Sequence, residues 1–187
     1  LGAVADHRVT VHCAGRTDTG VHAACQVIHI ETDSTRSERA WVLGANSNLP
    51  DPVAVRWARF VDDRFHARFS ARGRHYRYRI LNRWIRPGLH NGRVAWERRP
   101  LDAERMHDAA QVLVGEHDFS SFRALGCQAK HAVRELKRIE IQRHGDEVVI
   151  DVSANAFLYH MVRNIAGSLN AIGCGERDPG WLASVLE

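Results

Sequence analysis

Two stretches of the sequence mix apolar, often β-branched, residues with polar ones, Val133 to Arg143 and Val148 to Ala154, and His144-Gly145-Asp146 joins them. Successive side chains of a strand point to opposite faces, so each stretch reads as a strand with one buried and one wet face. The short polar joint makes the pair an antiparallel hairpin. Its apolar face has to be covered, and the next segment supplies a cover: Phe157 to Gly173 places Phe157, Met161, Ile165 and Ile172 on one face of a helix. A second helix is expected from Asp102, a good cap, through Val112, Leu113 and Val114 to a stop at Gly115. Hairpins with helices between them imply an α+β fold with a mostly antiparallel sheet.

The first third of the chain is read the same way. Val9 to Cys13 and Cys25 to Ile30 are expected strands, Ser34 to Gly44 a short helix, and Val53, Val55 and Trp57 the apolar side of another strand after the breaker Leu49-Pro50-Asp51-Pro52. The polar and basic run Asp62 to Arg68 marks the joint between an N-terminal half, residues 1–65, and a C-terminal half, residues 66–187. The second half opens with a strand that sets Tyr76, Tyr78 and Ile80 on one face and His75, Arg77 and Arg79 on the other. Aromatics alternating with arginines suit a nucleic-acid platform. A sheet with one buried face gives the same alternation, so the stripe decides nothing alone. Arg163 lies in the last helix beside Ala166 and Gly167, small residues that let a backbone or a substrate come close.

The charge balance is mildly basic, 26 against 22, and only Lys130 and Lys137 among the basic residues are lysines. Arginine forks onto phosphate oxygens and stacks on bases better than lysine. A GC-rich genome gives the same bias, so composition permits a nucleic-acid partner without requiring one. No apolar run approaches the ~20 residues of a membrane-spanning helix. Cys13, Cys25, Cys127 and Cys174 have no C-x-x-C spacing and are expected to be reduced, buried and inert. Neither His12 with Cys13 nor His22 with Cys25 fits a zinc pattern, and no metal site is expected.

Between the first two expected strands lies Cys13-Ala14-Gly15-Arg16-Thr17-Asp18-Thr19-Gly20-Val21-His22-Ala23. Gly15 and Gly20 permit tight turns, so Asp18 sits on a loop presented by two strands, a common place for a reactive group. An aspartate in a turn often does no more than bond its own backbone. Asp18-Thr19-Gly20 also matches the aspartic protease triplet. That chemistry needs two carboxylates sharing a proton, hence a symmetric dimer, and its triplet follows apolar residues rather than Arg16-Thr17.

The longer string "AGRTDTGVHA" resembles the active-site motif of the TruA-type tRNA pseudouridine synthases. Further segments resemble that family in its order: "LGANSNLPDPVAVRW" (Leu43 to Trp57), "FHARFSARGRHYRY" (Phe65 to Tyr78), "PLDAERMHDAA" (Pro100 to Ala110), "GEHDFSSFRA" (Gly115 to Ala124) and "NAFLYHMVRNIAGSL" (Asn155 to Leu169). The resemblance implies the pseudouridine synthase fold, two α+β halves with helices packed on a mostly antiparallel sheet and an active-site cleft between them. It implies isomerisation of uridine to pseudouridine in the anticodon stem-loop of tRNA, at positions 38, 39 and 40, by a cytoplasmic homodimer. No group is gained or lost, so no cofactor or metal is called for.

Carried over by position, Asp18 matches the catalytic aspartate and Arg163 the active-site arginine. A cation within about 4–6 Å keeps such a carboxylate charged and fixed. Tyr76 matches the tyrosine set against the target base, its ring on the uracil and its hydroxyl near C5. Arg16 resembles a residue that engages RNA as the nucleotide leaves its stack. His66, Arg68 and Ser70 lie in a family segment that gives structural support or RNA contact. The runner-up is a non-catalytic tRNA-binding relative, for which Asp18, Tyr76 and Arg163 together have no use. The family's N-terminal Y-D-G…G-W-Q and C-terminal G-L-Y-L patterns do not occur, so a longer native protein is expected. Thr19 stands where alanine is frequent, a change the loop is expected to tolerate.

Overall fold

The computed structural model describes every residue, Leu1–Glu187, and the chain divides into two units, Leu1–Ala71 and Arg72–Glu187. In the first unit a single helical turn, α1 (Gly2–Ala5), precedes two short strands, β1 (His12–Cys13) and β2 (Ile28–His29). These pair antiparallel, with His12 opposite His29 and Cys13 opposite Ile28. The period-two pattern suggested longer strands; Val11 and Ile28 instead stay exposed, at 46% and 39%.

Helix α2 (Glu38–Asn46) starts later than Ser34, because Ser37 is the residue whose side chain accepts the Ala40 N–H as the N-cap. Trp41 and Ala45 form its buried face. Residues 53–57 form no strand. The Asn46 side-chain amide holds Val55 instead, donating to the Val55 carbonyl at 2.9 Å and accepting the Val55 N–H at 2.7 Å.

The second unit is built on five strands: β3 (Arg74–Asn82), β4 (Ala95–Glu97), β5 (Gly115–Asp118), β6 (Val133–His144) and β7 (Glu147–Ala154). Their order is β4-β3-β7-β6-β5, antiparallel throughout except for the β3–β4 pair. The expected hairpin is β6–β7, turning where Gly145 takes a φ of +58°, which favours glycine. One feature is not legible from periodicity. Leu136 and Ile139 lie three apart, so strict alternation would set them on opposite faces, yet both are fully buried. A bulge reconciles them: Leu136 faces Ala154 while Arg138 faces Ser153, leaving Lys137 as the extra residue.

Helices α3 (Ala103–Ala110), α4 (Met161–Gly173) and α5 (Trp181–Leu186) join the sheet in one apolar core. This core includes Ile80, Met106, Leu136, Ile139, Ile150, Val152, Ile165, Leu169 and Leu182. Asp102 caps α3 as expected, accepting the Arg105 N–H at 2.9 Å, and the helix tightens into a 3₁₀ turn at Gln111–Leu113. Helix α4 begins four residues later than the apolar pattern suggested. His160 adopts a left-handed conformation, φ +58°, which no residue inside an α-helix can hold. Phe157 therefore belongs to the lead-in loop while still packing on the core. No helix is long and apolar enough to cross a membrane.

Candidate active site

In the first unit the Asp18 loop spans from β1 to β2. Beyond the ladder, Ala14 N–H donates to the Val27 carbonyl at 2.8 Å. Next, the Gln26 side chain clasps Gly15, its amide donating to the Gly15 carbonyl and its oxygen accepting the Gly15 N–H. At the tip, Val21 N–H returns to the Asp18 carbonyl at 3.0 Å and closes a β-turn. Gly20, third in that turn, has φ +81°, the value a type II turn demands. A Cβ on Gly20 would meet nothing within 4 Å, so backbone conformation rather than space calls for glycine. Asp18 is half-buried, and Arg16 beside it is exposed.

The foot of this loop rests on a cluster of three histidines. His12 and His29, opposite each other in the ladder, stack with ring centroids 4.9 Å apart. His66 approaches His29 edge-on at 4.5 Å and His12 at 5.4 Å. The Nδ1 of His29 accepts the Ala67 N–H at 3.1 Å. The Nδ1 of His66 accepts the N–H groups of Arg68 and Phe69 at 3.2 and 3.3 Å, and the backbone N–H of His66 donates to Ser70 Oγ. Burial pushes the His29 imidazole below its ordinary value, and the neighbouring His66 and His12 push the same way. His66 and Ser70 are thus fixed in local structure, whereas Arg68 is exposed with its guanidinium 5.9 Å above the Phe69 ring.

In the second unit the two faces of β3 part company. Tyr76 is half-buried and packs on the core, its ring edge-on to Phe157 with centroids 5.0 Å apart. Phe157 leads into α4, which carries Arg163, exposed, in its first turn. The opposite face is no free cationic platform. Arg77 forks onto Asp151 at 2.9 and 3.0 Å, His75 Nε2 lies 3.3 Å from the same carboxylate, and Arg79 forks onto Glu147. The Arg77 hydrogen bonds hold the Asp151 carboxyl below the usual carboxylate range, and those of Arg79 do the same for Glu147. This alternation is that of a sheet with one buried face.

Gly167 admits no close neighbour, since a Cβ there would meet open space. The close approach is at Gly173, where a Cβ would stand 2.6 Å from Met106 Sδ. All four cysteines are free thiols, but none is buried: Cys25 is exposed and the others half-buried. Burial raises the Cys127 thiol, and the N–H groups of Tyr159 and Ala129 with the Arg123 guanidinium outweigh it, leaving the thiol below its ordinary value. Cys174 is pushed up, chiefly by burial. No group of three His, Cys, Asp or Glu side chains is arranged to hold a metal ion.

Chemically, the first unit offers a half-buried carboxylate on a braced turn. The second offers a half-buried phenol and an arginine near the start of a helix. Sequence reasoning weighed His12 only as a metal ligand beside Cys13 and passed over His29; a histidine in each of two neighbouring expected strands was the available signal.

Comparison with known proteins adds the following. Residues 109–187 match the family described as tRNA pseudouridine synthase. The chain is 57% identical over 186 residues to a protein of Xanthomonas axonopodis pv. citri (strain 306) named tRNA pseudouridine synthase A, covering 100% of this chain and 72% of the relative. The protein of the same name from Stenotrophomonas maltophilia (strain R551-3) is 55% identical, with 100% and 73% covered.

Proposed function

The chain belongs to the tRNA pseudouridine synthase family and is an isomerase that converts uridine of tRNA to pseudouridine; we propose that Asp18 is its catalytic carboxylate and that it acts on the anticodon stem-loop, at positions 38, 39 and 40. In the reaction the C1′–N1 glycosidic bond breaks, the base turns, and C5 joins C1′. The C5 proton leaves and N1 gains one, so atoms and charge balance with no co-reactant. An ionised carboxylate beside the sugar meets the positive charge that develops at C1′ and is placed to take the C5 proton.

One observation carries the assignment: Asp18 lies in the string that most resembles the family's active-site motif, half-buried at the head of a hydrogen-bonded turn on a clasped loop. A side chain on such a mount is held near one position, as a group acting in a transition state must be. Arg163 is assigned the cation of the site and Tyr76 the ring against the uracil, held at its edge by Phe157. Arg16 and Arg68, both exposed, are assigned to the RNA, and arginine contacts to phosphate offset the few kcal/mol of drawing a nucleotide from its stack. His66 supports the foot of the Asp18 loop within the first unit, through its ring contacts with His12 and His29. The working form is a cytoplasmic homodimer, which sedimentation of the purified protein checks.

The test uses a tRNA transcript with tritium at C5 of its uridines, because pseudouridine formation releases that label to water. Wild type releasing label at positions 38–40, with Asp18→Asn binding the tRNA but releasing about 10²–10⁴-fold less, is the expected result. Equal release by both proteins would overturn the role of Asp18.

A further inference from the structure

We propose that His29 is a positioning residue for Asp18: its neutral imidazole locks the foot of the β1–β2 ribbon to the segment Phe65–Ser70, and so fixes the loop that carries the carboxylate. The inference rests on the assignment of Asp18 above. Its starting point is how short the ladder is. A two-stranded ladder in water is marginal even at full hairpin length, and this one has two residue pairs. The loop beyond it is clasped by Ala14 with Val27 and by Gly15 with Gln26, which fixes its shape.

The seat comes from His29. Its Nδ1 accepts the N–H of Ala67, a residue only 3% exposed, so this donor depends on the ring for its partner. The ring is clamped between His12, stacked at 4.9 Å, and His66, edge-on at 4.5 Å, with Phe65 at 6.1 Å. An Nδ1 that accepts has no proton, so the neutral ring carries its proton on Nε2. Protonating the ring puts a hydrogen on Nδ1, facing the Ala67 N–H, and the two donors repel. The titratable groups around it are His12 from β1, His66 from the Phe65–Ser70 segment, and Glu31, two residues beyond it and past the end of β2. The two histidines oppose the charged form and Glu31 favours it. The lock therefore opens as pH falls.

Asparagine places Oδ1 close to where Nδ1 stands and does not titrate; leucine fills the space and offers no acceptor. The chain and its variants His29→Asn, His29→Leu and Asp18→Asn are assayed for kcat and KM by tritium release from tRNA between pH 5 and 8, with folding followed by circular dichroism. Nitrogen-15 spectra of the imidazoles read the tautomer directly.

The expected result has three parts. His29 of the wild type is an Nε2–H ring. His29→Leu loses about tenfold or more in kcat at unchanged KM for tRNA, as about 1.4 kcal/mol of misplacement would give. His29→Asn restores most of that kcat and flattens the acid-side fall seen in wild type. Should the leucine variant fail to fold, the acid limb of the asparagine variant decides. Equal kcat losses in the two variants, an unchanged acid limb in His29→Asn, or an Nδ1–H tautomer overturns the proposal. An active Asp18→Asn identifies a failure of the Asp18 assignment instead, because it leaves the tautomer and the comparison of the two His29 variants standing.

Discussion

Deleting Lys137 is the sharpest perturbation that the sheet offers. Its side chain is exposed, and its backbone is the extra residue that returns both Leu136 and Ile139 to the core. Without it, Leu136 joins Arg138 directly and stands two residues from Ile139, so ordinary alternation sets both side chains on the core face. The pairs Leu136 with Ala154 and Arg138 with Ser153 become consecutive, and the four residue pairs between β5 and β6 keep their register. Only the local bend and twist of the bulge are lost. Removing the buried Leu136 side chain, by contrast, costs about 2–5 kcal/mol. We expect the deletion to destabilise the protein by about 1 kcal/mol, well below Leu136→Ala. Lys137→Ala, which keeps the bulge, is expected to stay within about 0.5 kcal/mol of wild type. Urea unfolding followed by circular dichroism measures all three. A deletion as costly as Leu136→Ala would refute the claim that Lys137 is the extra residue that sets the faces of β6.

Two further outcomes follow from side chains already described. The Arg99 guanidinium, with help from Asn170, holds the Glu97 carboxyl down at about 2, against burial that raises it. A depressed carboxylate contributes stability that is complete above its ordinary 4.5 and is lost as pH falls through about 2. Because Arg99 is half-exposed, we expect about 1–2 kcal/mol at neutral pH. Glu97→Gln should forfeit that amount at pH 7 and match wild type near pH 2; equal stabilities at pH 7 would show the pair to be inert. Tyr76→Phe keeps the ring edge against Phe157 and should fold as wild type, yet lose about 10²-fold in kcat if the hydroxyl assists proton transfer at C5. An unaltered kcat would leave Tyr76 only its stacking role.

Much of this molecule follows from residues close together in the chain. The hairpin of β6 and β7, its turn at Gly145, the cap at Asp102 and the two faces of β3 arise from periodicity and from neighbours within four positions. The turn bearing Asp18 is local too, since Gly20 and the motif around it lie within one short segment. What the tertiary structure decided came from partners far along the chain. Asp151 and Glu147 approach Arg77 and Arg79 from 74 and 68 residues away and settle that those arginines are paired rather than free. The Asn46 amide holds Val55 in a segment that forms no strand, and His160 delays α4 by taking a left-handed turn. His29 meets Ala67 across 38 residues. A strand's alternation records which side chains avoid water. It does not record where a bulge resets the count or which distant donor reaches a ring, because both depend on register and approach fixed only when separate segments pack.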